Sequence, residues 1–260
     1  MSAKPDSVRV AAIGDLHVHQ NSSDGLQAIF DNVSQNADVL ALCGDLTHLG
    51  LPQEAERLVN DLRSCRIPVV AVLGNHDYHS GQAEEVKKVL RSGKVALLDE
   101  TETFEFQGVG FAGAKGFGGG FDKHMLTPFG EESIKHFVGE AVNESLRLEV
   151  ALNGLRTERT VVVLHYSPIA ATVIGEPPEI FPFLGSSRLA ETIDHFDVDV
   201  VFHGHAHHGT YQGKTMKGTP VYNCCLQLVQ RINPDRPFAL VEIPNPVPAE
   251  APPSKQDPAA

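Results

Sequence analysis

Thirteen histidines stand among 260 residues, and the informative ones sit beside Gly, Asp or Asn just after short apolar runs. Asp15 and His17 follow the run over 8–13, Asp45 follows 38–43, and Asn75, His76 and Asp77 follow 67–73. His165 ends the run that starts at Thr160, and His205 and His207 belong to the element Gly204-His205-Ala206-His207. If these run ends meet at one edge, Asp15, Asp45, Asn75, His17, His165, His205 and His207 form an oxygen and nitrogen donor set without thiolate. Such a set is large enough for two metal ions. In an extended segment residues i and i+2 face the same way, so Asp15 with His17, and His205 with His207, are each expected to serve one pocket. Glycines 14, 44, 74 and 204 permit the sharp turns that donors at strand ends require.

The elements that must position these residues follow from hydrophobic spacing. Segments 8–13, 38–43 and 67–73 are strand-sized apolar runs, and 24–35, capped by Asp24, and 52–64, opened by Pro52, have helical spacing. This alternation implies a parallel sheet whose ligands gather beyond the carboxyl ends of its strands. A helix over 83–91, a hairpin of 103–107 with 109–114, and a glycine-rich loop over 116–121 come next. That loop lacks the Lys-Ser/Thr of a phosphate loop, so a flexible surface loop is expected, with a substrate-facing lid as the alternative. A long helix over 131–152, a strand over 160–164, a helix over 188–195 capped by Ser187 and a strand over 198–202 follow. The Ser186-Ser187-Arg188 bend could hold a phosphate, although capping alone explains it. Antiparallel strands over 210–243 are expected to complete a second, mixed sheet, giving one domain over 1–243 and a disordered proline-rich tail over 244–260.

Composition narrows the partners. Lys and Arg number 21 against 33 Asp and Glu, a net charge of −12 that repels polyphosphate, so long nucleic acid is a disfavoured partner. No apolar run is long enough to cross a membrane, and the first residues carry no secretory core, which points to the cytoplasm. Cys43, Cys65, Cys224 and Cys225 lack zinc-site spacing and are expected to be reduced structural thiols.

Taken in order, Gly14-Asp15-Leu16-His17, Gly44-Asp45, Gly74-Asn75-His76-Asp77, His165 and Gly204-His205-Ala206-His207 resemble the calcineurin-like metallophosphoesterase family. The resemblance implies an α/β fold, a four-layer αββα sandwich of two mixed sheets. It also implies two metal ions, Mn, Fe or Zn, one held by Asp15, His17, Asp45 and His207 and the other by Asp45, Asn75, His165 and His205. In-line attack by metal-bound hydroxide on a phosphoester would follow. His76 would steady the phosphoryl group or protonate the leaving oxygen, with Asp77 orienting His76. His19, His48, His79, His203 and His208 neighbour the motifs and are expected in supporting or surface roles, and His124, His136 and His195 on the solvated surface.

Within the family, purple acid phosphatases carry a tyrosine three residues after the bridging aspartate, where this chain has His48. Protein Ser/Thr phosphatases carry G-D-x-V-D-R-G, which Gly44-Asp45-Leu46-Thr47-His48-Leu49-Gly50 does not match. The run is similar to small bacterial phosphodiesterases of the cyclic-nucleotide type. A small phosphorylated substrate is therefore expected, a phosphodiester or cyclic nucleotide first and a phosphomonoester second. A noncatalytic scaffold would be favoured if donors were replaced, and none is. In the segment 176–185, Pro177, Pro178 and Pro182 stiffen the chain, and Phe181 and Phe183 are expected to offer a flat group an apolar face unless both pack inward.

Overall fold

Strands whose central positions are all apolar need cover on both faces, and here each sheet has helices on one face and the other sheet on its second face. The computed structural model describes residues 7–21, 25–99 and 101–245; Asp24 and all of the expected tail beyond Asn245 lie outside them. Strands β1 (Ser7–Ile13), β2 (Val39–Cys43), β3 (Val69–Val72) and β4 (Val95–Leu97) pair in parallel. A second sheet holds β5 (Phe104–Phe106), β6 (Val109–Ala114), β7 (Arg159–Leu164), β8 (Val200–His203), β9 (Gln212–Lys214) and β10 (Pro220–Asn223), in the order β5-β6-β7-β8-β10-β9. Its middle strands are parallel and its two edge strands antiparallel.

Alternation along each strand divides the core. Val8, Val10 and Ala12 of β1, with Val39, Ala41 and Cys43 of β2, face Phe111, Val161, Val163 and Phe202 between the sheets. Ile13, Leu40 and Leu42 turn the other way, onto α1 (Gln27–Asn36), α2 (Pro52–Asp61) and α3 (Ala83–Ser92). The outer face of the second sheet is covered by α4 (Glu132–Gly154) and, beyond the short α5 (Phe181–Leu184), by α6 (Ser187–Ile193). The layers are thus helix, sheet, sheet, helix, as expected.

Several expectations need correction. The region over 210–243 is not a run of antiparallel strands, because α7 (Leu226–Ile232) separates β10 from β11 (Ala239–Pro244). Strand β11 crosses to the first sheet and pairs antiparallel with β1, since both sheets meet where the chain leaves β10. The start of α6 is capped by Ser186, which accepts from the Arg188 amide at 3.4 Å, whereas Ser187 Oγ accepts from the Asp122 amide at 2.9 Å. Arg188 donates to the Leu126 carbonyl at 3.0 Å, so the bend serves packing. The glycine loop is neither surface loop nor lid. Gly119 and Gly120 donate to the carbonyls of Pro182 and Gly185 at 2.6 and 2.9 Å, and Glu144 accepts from the Gly116 amide at 2.7 Å. A Cβ at Gly118 would stand 2.6 Å from the Pro182 carbonyl, so glycine serves close approach there rather than motion.

Phe111 is fully buried between the sheets. Phe111→Ala should lower the unfolding free energy by about 3–5 kcal/mol. Leu146→Ala, on the exposed face of α4, should change it by less than about 0.5 kcal/mol. Urea midpoints at unchanged slope test the pair, and equal losses would contradict this division of the core.

Candidate metal centre

Strands β1, β2 and β3 end side by side, and each passes to a glycine and then a polar residue, Asp15, Asp45 or Asn75. From the second sheet, β7 ends just before His165 and β8 just before Gly204. The Gly204 amide donates to the His165 carbonyl at 3.1 Å and the Gly14 amide to the Cys224 carbonyl at 2.8 Å, so the two sheet edges are joined here.

Extended backbone is not what aims the paired donors. Asp15, His17, Asp45 and His205 are left-handed, with φ of 58°, 43°, 49° and 69°. Each such residue costs about 1–3 kcal/mol and persists only where its surroundings over-determine it. Hydrogen bonds do so here: the Asp15 amide donates to the Gly44 carbonyl at 3.0 Å and the His17 amide to the Asp45 carbonyl at 2.9 Å. The His205 amide donates to both Asp15 carboxylate oxygens, at 3.0 and 2.9 Å. Gly44 has φ 78°, and a Cβ there would lie 2.6 Å from the His165 ring.

The side chains converge in two groups, Asp15 with His17 and His207, and Asp45 with His165 and His205, the donor atoms of each lying within 4.8 Å of one another. Asp45 reaches both groups, with Oδ1 3.3 Å from Nε2 of His165 and Oδ2 3.7 Å from Nε2 of His17. Asn75 Oδ1 lies 2.8 Å from the same His165 nitrogen. All the donors singled out in the sequence therefore share one site.

The donor chemistry fits cations. His165 donates from Nδ1 to the Cys43 carbonyl at 2.9 Å, so in the neutral ring Nε2 carries a lone pair facing the oxygens of Asn75 and Asp45. Neither ring nitrogen of His17 has a hydrogen-bond partner among the described residues, although both are buried. His205 donates from Nε2 to the Phe183 carbonyl at 3.1 Å, which leaves Nδ1 as its electron-pair donor. Burial pushes His17 down to about 4 and, aided by His165, His205 down to about 3, so both rings are neutral at pH 7 and able to ligate. Burial opposes ionisation of Asp15, but the hydrogen bond from His207 and the nearby histidines outweigh it and hold the carboxyl far below its ordinary range. The same 3.1 Å hydrogen bond raises His207.

His76 and Asp77 do not form the expected pair. His76 sets Nδ1 2.7 Å from the His48 carbonyl, and its amide donates to Asp45 Oδ1 at 2.8 Å. Asp77 points the other way, because residues 76–78 form a tight 3-10 turn that sends neighbouring side chains apart. Its fully buried carboxylate accepts from the amides of Leu46 (3.2 Å), Thr47 (2.8 Å) and Gly74 (2.8 Å) and from Thr47 Oγ1 (2.5 Å). Asp77 ties the second and third loops together, and burial, with the Asp45 charge, pushes it up to about 6.

His203 is also deeper than expected, with Nδ1 on the Gly204 carbonyl (2.7 Å) and Nε2 on Thr172 Oγ1 (2.8 Å). Sequence reasoning missed Tyr166, whose ring packs 4.4 Å from that of His205, and Arg231, which donates to the His207 carbonyl at 2.6 Å. Tyr166 follows His165 directly, a signal that was available; Arg231 arrives on α7 and had none.

A family model described as Calcineurin-like phosphoesterase matches residues 8–209, most of the chain. The chain belongs to this family. With its two His and Asp clusters, consistent with a dinuclear metal site, this calcineurin-like phosphoesterase is a metal-dependent hydrolase. It is 24% identical over 241 residues, 89% of this chain and 85% of the relative, to a probable cyclic nucleotide phosphodiesterase of Synechococcus sp.. A human protein named serine/threonine-protein phosphatase CPPED1 is 27% identical over 219 residues, 79% of this chain and 65% of its own. The solved structure of TT1561 of Thermus thermophilus shares the fold, with a TM-score of 0.56 at 17% identity over 90% of this chain and 98% of that one. Among the described residues no helix is long and apolar enough to cross a membrane.

Removing Asp77 strands four donors, and each buried unsatisfied group costs about 1–3 kcal/mol. Asp77→Ala should therefore destabilise the protein by at least about 3 kcal/mol. A variant with unchanged thermal stability and reduced turnover would restore the role of orienting His76.

Proposed function

We propose that Asp15, His17, Asp45 and His207 hold one divalent or transition metal ion, Mn, Fe or Zn, and that Asp45, Asn75, His165 and His205 hold a second. The observation that carries this reading is the reach of Asp45, one carboxylate oxygen toward His165 and the other toward His17. When bound, such a pair supplies Lewis-acid charge that clamps phosphoryl oxygens and makes water acidic enough to attack phosphorus. The protein's own groups do the rest. His76, fixed through Nδ1 by the His48 carbonyl, keeps Nε2 for the phosphoryl group, and as an imidazolium, with a proton on each ring nitrogen, it would steady a phosphoryl oxygen or give the Nε2 proton to the departing one. Asp77 acts on the loops that carry Asp45 and Asn75 rather than on the reacting atoms.

The substrate we propose is a small phosphodiester or a cyclic nucleotide. The Synechococcus relative, aligned over most of both chains, supports it, and a net charge of −12 argues against a nucleic-acid track. A small phosphomonoester is the second reading, supported by the relative named a protein phosphatase. Free thiols at Cys43, Cys65, Cys224 and Cys225 suit the reducing cytoplasm as the place of action.

Asp45→Ala should remove a donor from both ions and lower turnover by about a thousandfold or more with far-UV circular dichroism unchanged. His76→Ala should keep both metals and slow turnover by about 10²–10⁴, whereas His165→Ala should lose about one metal equivalent. Unchanged turnover in Asp45→Ala, or equal metal loss in the two histidine variants, would reject the assignment. Rates for phosphomonoesters, phosphodiesters and cyclic nucleotides after metal reconstitution decide between the two substrate classes.

A further inference from the structure

A cavity of about 410 Å³ opens beside Asn75 and His205, walled by Phe117, Phe137, Tyr166, Ile180, Phe183 and Leu184. Among the described residues no carboxylate, ammonium or guanidinium lines it. Its walls form a circuit of rings. His205 meets Tyr166 at 4.4 Å between centroids, Tyr166 meets Phe117 at 5.8 Å, Phe117 meets Phe137 at 4.9 Å, and Phe137 meets Phe183 at 5.9 Å. The Phe183 carbonyl then returns to His205 Nε2 at 3.1 Å. Phe181, by contrast, turns onto Phe121 with perpendicular rings 6.4 Å apart, so the two phenylalanines of this segment have separate tasks.

The pocket is built in advance. The glycine loop is hydrogen-bonded to the segment carrying Phe183, and Lys115, mostly buried, sets Nζ 4.8 Å from the Phe117 centroid and 5.4 Å from that of Tyr166, bracing both rings. Phe183 itself is 58% exposed, too much for a ring whose purpose is the core. Adjacent rings are inclined by 45° to 81°, so they present both edges and faces to the cavity. Uncharged apolar walls disfavour a charged occupant, because a buried charge would find no partner there.

We propose that this pocket takes the planar, uncharged ring of an ester group on a phosphate that the adjoining metal centre would bind, and that Phe183 and Phe137 set the preference for ring-bearing phosphoesters. This rests on the reading of the adjoining donors as a phosphoesterase metal centre. Stacking on aromatic side chains tolerates ring identity, since every aromatic ring has a π face. Apart from Asn75 and His205 at the mouth, the described walls offer no polar side chain but the Tyr166 hydroxyl to read a ring's edge, so the pocket selects for a ring and discriminates little among rings.

Phenylphosphonate and methylphosphonate present the same head group and differ in the ring, and calorimetric titration of the metal-loaded protein measures both. The phenyl compound should bind about tenfold more tightly, the lower end of what base stacking supplies. That advantage should fall to near unity in Phe183→Ala and in Phe137→Ala, with methylphosphonate affinity unchanged. Phe183→Ala keeps the backbone carbonyl that meets His205, so the head-group site survives in it. A nucleoside methylphosphonate that gains equally, and loses the gain with Phe183, assigns the ring to a nucleobase; a gain confined to the phenyl compound assigns it to a smaller aryl ester. Equal affinity of the two simple phosphonates for the unaltered protein, or an advantage that survives both substitutions, overturns the proposal. Failure of the phosphoesterase reading looks different: neither phosphonate binds and no phosphoester is turned over.

Discussion

Asp15, Asp45 and Asp77 are all buried where the edges of two sheets meet, and buried charge is costly unless it is hydrogen-bonded or paired. Each carboxylate accordingly accepts from backbone amides: Asp15 from His205, Asp45 from His76, and Asp77 from Leu46 and Thr47 in the loop after β2 and from Gly74 in its own loop. These bonds stitch together residues far apart in the chain. They also bring the side chains of Asp45, Asn75 and His165 together at one point, with Nε2 of His165 2.8 Å from the Asn75 oxygen and 3.3 Å from that of Asp45. Electrostatics and topology are the same problem here, because the sheets must bring their edges together for the carboxylates to be satisfied.

That requirement explains the unusual backbone. Four of the donor residues sit in left-handed conformations that a strand end would not choose by itself. The strain is local, and the bonds that hold it are long-range, so rigidity at the site comes from the whole sandwich. A loop free to relax would lose the geometry, and Asp77 holds the loops after β2 and β3 against that.

Much of this was legible in the sequence. Short apolar runs ending in glycine and a polar residue announced both the strands and the donors, because strands buried on both faces leave little room for other patterns. What was not legible depended on partners distant in the chain. Asp77 follows His76, and adjacency suggested cooperation, but a tight turn sends the two side chains apart. The glycine loop read as mobile, yet its glycines exist so that the segment around Pro182 can come close. The crossing of β11 to the first sheet had no local signal, since its composition would suit either sheet.

That crossing has a bearing on how the protein is made. Strand β1 leaves the ribosome before every other strand of the sandwich, yet it lies between β2 and β11, which emerges after all the rest. Until β11 emerges, one edge of β1 shows unpaired amides and carbonyls flanked by Val8 and Val10, the kind of edge that templates pairing between chains. His205 and His207 are likewise made late, so Asp15 waits for the amide and the imidazole that satisfy it. The β1 edge of a nascent chain therefore stays open over nearly the whole synthesis of the sandwich, and only the last strand closes it.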